Sequence, residues 1–144
     1  MIKKNKKIVM CGCHEGGLNA IEALLELGYN IETFVCLTRG QALKYKISGY
    51  YDYKPLAKKY GIEVYIPETY SLTNEKDQEF FKKKKFDLLV QGGWQRLFPE
   101  KILNSLKIGA LGLHGSADFL PKGRGRSPMN WSLIEGRRRF YLLQ

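Results

Sequence analysis

From Lys7 to Cys13 the chain is apolar and β-leaning, and His14, Glu15, Gly16 and Gly17 then interrupt it. From Leu18 to Leu27, apolar residues at 18, 21, 24, 25 and 27 follow a helical period that Gly28 stops. With a strand from Asn30 to Leu37, the opening reads as a βαβ unit on a parallel sheet. Residues 38 to 53 are polar, tyrosine-rich and without a clear period. Pro55 opens a short helix from Leu56 to Tyr60, Gly61 caps it, and Ile62 to Ile66 reads as a strand. The stretch from Asn74 to Lys85, with Phe80 and Phe81 as its apolar face, predicts a helix leading into a strand from Phe86 to Gln91. Pro99 sits where a first helical turn accepts proline, Glu100 to Leu106 is a short helix, and Ile108 to Leu113 a strand. After a loop to Pro128, Met129 to Ile134 is a helix ended by Gly136, and Phe140 to Leu143 a last strand.

This alternation predicts one α/β domain over 1–144: a doubly wound, mostly parallel, Rossmann-like sheet, with ligands bound beyond the carboxyl ends of its strands. The turns at Gly12, Gly92 and Gly112 are expected to converge at that end. The composition, 44% hydrophobic and 12% aromatic, is that of a folded protein, and 144 residues fit one core. Of the 24 basic and 14 acidic residues, 8 and 2 lie beyond residue 100, so the last third is the positive end. That charge suits an anionic partner such as a nucleotide or RNA, although lysine runs such as Lys82 to Lys85 serve equally for solvation. An RNA-binding reading rests on charge alone, since no RNP-like aromatics, KH-type loop or zinc module accompany it. Cys11, Cys13 and Cys36 are sparse and lie in apolar runs, which points to reduced core thiols, a cytoplasmic setting and no metal site. No apolar run approaches a membrane span.

Three turns carry candidate chemistry. His14 and Gly16-Gly17 follow the first strand, where amides at a helix start can hold an anion, but the spacing is not GxGxxG, and a plain tight turn explains the glycines equally well. Gln91-Gly-Gly-Trp-Gln-Arg-Leu-Phe-Pro begins with two glycines and is expected to expose Trp94 near Arg96 and Phe98. It would form an apolar cleft for a flat heteroaromatic ligand; packing of Trp94, Leu97 and Phe98 on the sheet is the even alternative. His114, at a strand end, is suited to proton transfer or to donating to a developing oxyanion, Ser116 to positioning a carbonyl or amine. Arg124 and Arg126 would clamp a phosphate or carboxylate; a strand-end cap at His114 and a solvated arginine loop are the simpler readings.

Over nearly its whole length, from the opening strand through Gly92-to-Pro99 and the His114-to-Pro128 stretch to the helix from Trp131 to Gly136, the chain resembles the N-terminal domain of the 10-formyltetrahydrofolate-dependent formyltransferases. Methionyl-tRNA, glycinamide ribonucleotide and sugar N-formyltransferases belong to that family. The resemblance implies that Gln91, Gly92, Gly93, Trp94, Arg96, Leu97 and Phe98 cradle the pterin of the formyl donor, largely through the backbone. It further implies that His114 polarises the formyl group; on their own chemistry, Ser116 is the expected catalytic companion of His114, and Gly12, His14, Gly16, Arg124 and Arg126 are expected to face the acceptor.

The family motif has asparagine where Gly112 stands and two fewer residues between Ser116 and Pro121; the family's catalytic aspartate lies some tens of residues beyond Gln144, and Asp118 does not match it. The expectation is therefore a domain, truncated at its C-terminus or divergent, that binds folate and transfers formyl groups very slowly or not at all. A folate- or nucleotide-binding homologue without turnover and a formyltetrahydrofolate hydrolase are the alternatives. A small amine or nucleotide sugar is the expected acceptor, with tRNA and a homo-oligomer left open by the sequence.

Overall fold

A computed structural model describes residues 5–125 and 127–143, the last of these by its main chain only. The chain divides into two compact units, Met1–Leu111 and Gly112–Gln144. The first unit is a five-stranded sheet with the order β3-β2-β1-β4-β5 and every pairing parallel. Its strands are β1 Ile8–Gly12, β2 Ile31–Val35, β3 Glu63–Tyr65, β4 Leu88–Gly92 and β5 Gly109–Leu111.

Because a strand alternates faces, β1 feeds two cores. Val9, Cys11 and Cys13 pack on one side with Phe81 of α4 (Glu75–Lys84) and Ile102 of α5 (Glu100–Leu103). Met10 packs on the other with Ile21 of α1 (Leu18–Glu26) and with Leu56 and Ala57 of α3 (Lys54–Tyr60). Helices thus cover both faces, as the periodicity predicts.

Local chemistry sets the helix ends. Asn74 accepts the Lys76 N–H and so starts α4, and Gly61, left-handed at φ 65°, ends α3. Residues 38 to 53 hold a helix the apolar pattern did not reveal, α2 (Arg39–Lys44), started by a reciprocal cap between Thr38 and Gln41. Pro99 stands just before α5 rather than in its first turn, its extended backbone being that of a cap. That helix ends at Leu103, short of the expected Leu106, and β5 stops at Leu111.

In the second unit the expected loop after residue 113 contains a strand, β6 (His114–Ser116). It pairs antiparallel with β7 (Tyr141–Leu143), and α6 (Pro128–Ile134) lies between them in sequence. The terminal strand therefore belongs to its own two-stranded sheet and not to the parallel one.

Candidate functional site

In an open parallel sheet the crevice falls where the winding reverses, here between β1 and β4. Gly12 and Gly92, the last residues of these two strands, are paired across that point. A Cβ on Gly12 would meet the Gly92 carbonyl oxygen and the Tyr53 ring. One on Gly17 would meet the Gly92 oxygen and the Tyr53 hydroxyl, both at 2.6 Å. These glycines are required by close packing of the two turns.

The anion-binding reading of the first turn is corrected by its hydrogen bonds. The Glu15 amide donates to the Gly49 carbonyl, Gly16 to His14 Nδ1 at 3.1 Å, and Gly17 to the His14 carbonyl at 3.1 Å. All three amides of the 3-10 turn Glu15–Gly17 are spent within the protein. Since Nδ1 of His14 accepts, the proton of the neutral ring is on Nε2. Segment 49–53 straps this turn, with Tyr51 donating its amide to the Cys13 carbonyl and Tyr53 its hydroxyl to the His14 carbonyl at 2.7 Å.

The Gln91-to-Phe98 loop folds back on the sheet. Trp94 is only 2% exposed, against the expected exposed aromatic surface, while Leu97 is 93% exposed. Apolar burial favours this arrangement, because the indole packs edge-to-face on Tyr70 with ring centres 4.7 Å apart and lies near-parallel to Phe98. The loop is tied by Gln91 Nε2 donating to the Trp94 carbonyl at 2.6 Å and by the Gln95 amide donating to the Tyr70 hydroxyl at 2.9 Å. The Arg96 guanidinium lies over the Tyr70 ring, 4.8 Å from its centre.

Two observations fit a heteroaromatic ligand here. Among the described residues the main-chain N–H and C=O groups of Arg96, Leu97 and Phe98 make no hydrogen bonds, and the buried Trp94 indole N–H has no partner. The loop therefore offers main-chain groups rather than a stacking face of the Trp94 side chain.

His114 opens β6, partly buried, with Nε2 3.0 Å from the Gly123 carbonyl oxygen. A carbonyl only accepts, so Nε2 carries the proton and Nδ1 of the neutral ring is bare. Ser116 is fully buried, and its oxygen accepts the Asp118 amide at 3.1 Å. Gly123, at φ 69°, presses on that hydroxyl so closely that any side chain would overlap it. Arg124 is exposed, with Nε donated to the Pro121 carbonyl at 3.0 Å, which leaves its terminal nitrogens for a partner. It borders a cavity of about 300 Å³ also lined by Trp131, Ser132 and Glu135. Arg126 lies outside the described residues, and Gly112 opens this second unit as an exposed residue.

Burial pushes the three cysteines up, Cys36 to about 12, which fits core thiols rather than nucleophiles. Among the described residues no His, Cys, Asp and Glu group could hold a metal ion, and no helix is long and apolar enough to cross a membrane. The sequence reading missed Tyr53 and Tyr70, whose hydroxyls hold the two turns. Its one signal was the unexplained tyrosine richness of the segment from Tyr45 to Tyr53.

The first unit is thus a doubly wound α/β domain with two interlocked turns at its winding reversal, and the second carries a histidine fixed by a main-chain carbonyl. The formyl transferase family model matches residues 46–140, and the chain belongs to that family. It is 32% identical over 130 residues to the methionyl-tRNA formyltransferase of Enterococcus faecalis, covering 90% of this chain and 40% of that protein. Its identity to the bifunctional polymyxin resistance protein ArnA of Wigglesworthia glossinidia brevipalpis is also 32%, over 90% of this chain and 19% of that protein. Among solved structures, glycinamide ribonucleotide transformylase 1 from Symbiobacterium toebii superposes with a TM-score of 0.65 at 17% identity, over 94% of this chain and 62% of that one. The chain therefore spans about two fifths of that methionyl-tRNA formyltransferase.

Proposed function

We propose that the protein transfers a formyl group from 10-formyltetrahydrofolate to an acceptor amine. The ring of His114 carries this reading: partly buried at the head of β6, it already offers its Nε2 proton to an oxygen, that of Gly123. A formyl oxygen would take the same proton. As the amine nitrogen bonds to the formyl carbon, the carbonyl electron pair moves to oxygen, where the His114 N–H holds it. The bond to the folate nitrogen then breaks, and that nitrogen receives the proton the amine has lost.

The main chain of Arg96 to Phe98 is the part of the loop we assign to the pterin. The cavity beside Arg124 and Glu135 suits an acceptor bearing both an amine and an anionic group, such as a small amino metabolite or a nucleotide sugar. Family membership supports folate chemistry. Gly112, where the family has asparagine, favours a second reading, folate binding without turnover.

The test is calorimetric titration with the stable analogue 5-formyltetrahydrofolate, together with release of tetrahydrofolate from the 10-formyl donor with and without candidate amines. Saturable binding and amine-dependent release that falls at least about a hundredfold in His114→Ala are expected. Release without amine identifies a hydrolase, binding without release identifies the second reading, and no binding at all refutes the folate assignment.

A further inference from the structure

We propose that Tyr53 is a positioning residue whose phenolic proton ties the His14–Gly17 turn to the Gly92–Gly93 turn, so that a ligand ordering one turn also orders the other. Only the ligand clause rests on the folate reading; the tie itself stands on geometry.

The Tyr53 side chain is fully buried. Its hydroxyl lies 2.7 Å from the His14 carbonyl oxygen and 3.1 Å from that of Gly92, at the ends of the two central strands. Both partners are acceptors, so one proton is shared between two carbonyls. Burial raises the phenol above its ordinary range, which keeps the proton on the hydroxyl that faces the two carbonyls.

The ring cannot swing away. It packs edge-to-face on Phe34 with centres 5.7 Å apart and against Tyr51 at 5.8 Å, and its own carbonyl accepts the Ala57 amide as α3 begins. Gly12 and Gly17 have no room for a Cβ because of this same hydroxyl and the Gly92 oxygen. The glycines of the first turn thus record the presence of the phenol.

The coupling follows from what each carbonyl does next. The His14 carbonyl also accepts the Gly17 amide, which holds the 3-10 turn closed. Gly92 leads directly into Gly93 and the loop whose free main-chain groups are assigned to the pterin. A ligand that stills the Gly92–Gly93 turn holds the shared hydroxyl in place, and the His14 turn is then ordered at smaller entropic cost.

The experiment is hydrogen exchange by mass spectrometry on the whole chain, comparing the wild type with Tyr53→Phe, with and without 5-formyltetrahydrofolate. Without ligand, Tyr53→Phe should exchange about fivefold faster across 14–17 and 93–95, the factor for one ordinary hydrogen bond, with β2 and β3 unchanged. With ligand, the wild type should gain protection in both turns and the variant only across 93–98. Unchanged exchange at either turn, a uniform rise through the sheet, or undiminished spread of protection in the variant would overturn the proposal. Should the variant not fold, 3-fluorotyrosine at position 53 preserves the ring and strengthens the donor. It should slow exchange in both turns, and no slowing overturns the tie. A wild type that gains no protection from folate removes the functional reading, while the ligand-free comparison still decides the tie.

Discussion

Asp77 connects a fully buried side chain to the Gln91-to-Phe98 loop, and its removal has a calculable cost. The carboxylate lies in the first turn of α4 and accepts four hydrogen bonds. Oδ1 takes the Tyr65 hydroxyl at 2.8 Å and the Glu68 amide at 2.9 Å, while Oδ2 takes the Thr69 amide at 3.2 Å and the Thr69 hydroxyl at 3.3 Å. In Asp77→Ala the Thr69 hydroxyl can turn elsewhere, but two amides and a phenol lose their acceptor. At ~1 kcal/mol for each such partly buried donor, the loss is about 3 kcal/mol, a large share of the 5–15 kcal/mol that holds a domain of this size.

With a urea slope near ~1.5 kcal/mol per M, the unfolding midpoint should fall by about 2 M. Tyr65→Phe removes one of the four donors and should cost only about a third as much. The same turn carries Tyr70, acceptor of the Gln95 amide, so Asp77→Ala should also accelerate exchange at Gln95 more than Tyr65→Phe does. A midpoint shift below about 0.5 M in Asp77→Ala, or equal losses in the two variants, would refute this reasoning.

Two further outcomes follow from the same structure. Asp87 is held below the usual aspartate range, first by the Lys7 amide at 2.8 Å and then by Lys107 and Lys6. With a folded pKa below the unfolded one, its stabilisation is complete above about pH 4 and is lost as pH falls through the folded value. Urea midpoints between about pH 5 and pH 2 should therefore drop more steeply in the wild type than in Asp87→Asn. Gly123→Ala places a side chain on the Ser116 hydroxyl at a left-handed backbone position, and should cost the second unit at least about 2 kcal/mol. Exchange of the β6 and β7 amides reads it, and protection equal to the wild type would contradict the packing described.

What the sequence by itself determined is what depends on neighbours a few residues apart. The 3.6-residue period of Leu18 to Leu27, Asn74 ahead of its helix, and Gly61 after Tyr60 each act within a turn or two of backbone, and each element stands where the pattern put it. Even the helix from Arg39 to Lys44 was legible in principle, through Thr38 and Gln41, although its apolar pattern is weak.

The site was decided differently. That Trp94 prefers burial follows from its chemistry, but that it is buried under its own loop depends on Tyr70, which the sheet order brings from 24 residues away. The strand at His114 has only three residues, and exists because Tyr141–Leu143 pairs with it. The glycines at 12 and 17 could equally have served an anion, until the fold set the Tyr53 hydroxyl and the Gly92 carbonyl against them. Local hydrogen bonding and periodicity act through the backbone and are written in adjacent residues. Which distant side chain fills a given space is settled only when parallel strands are aligned and their carboxyl ends brought side by side.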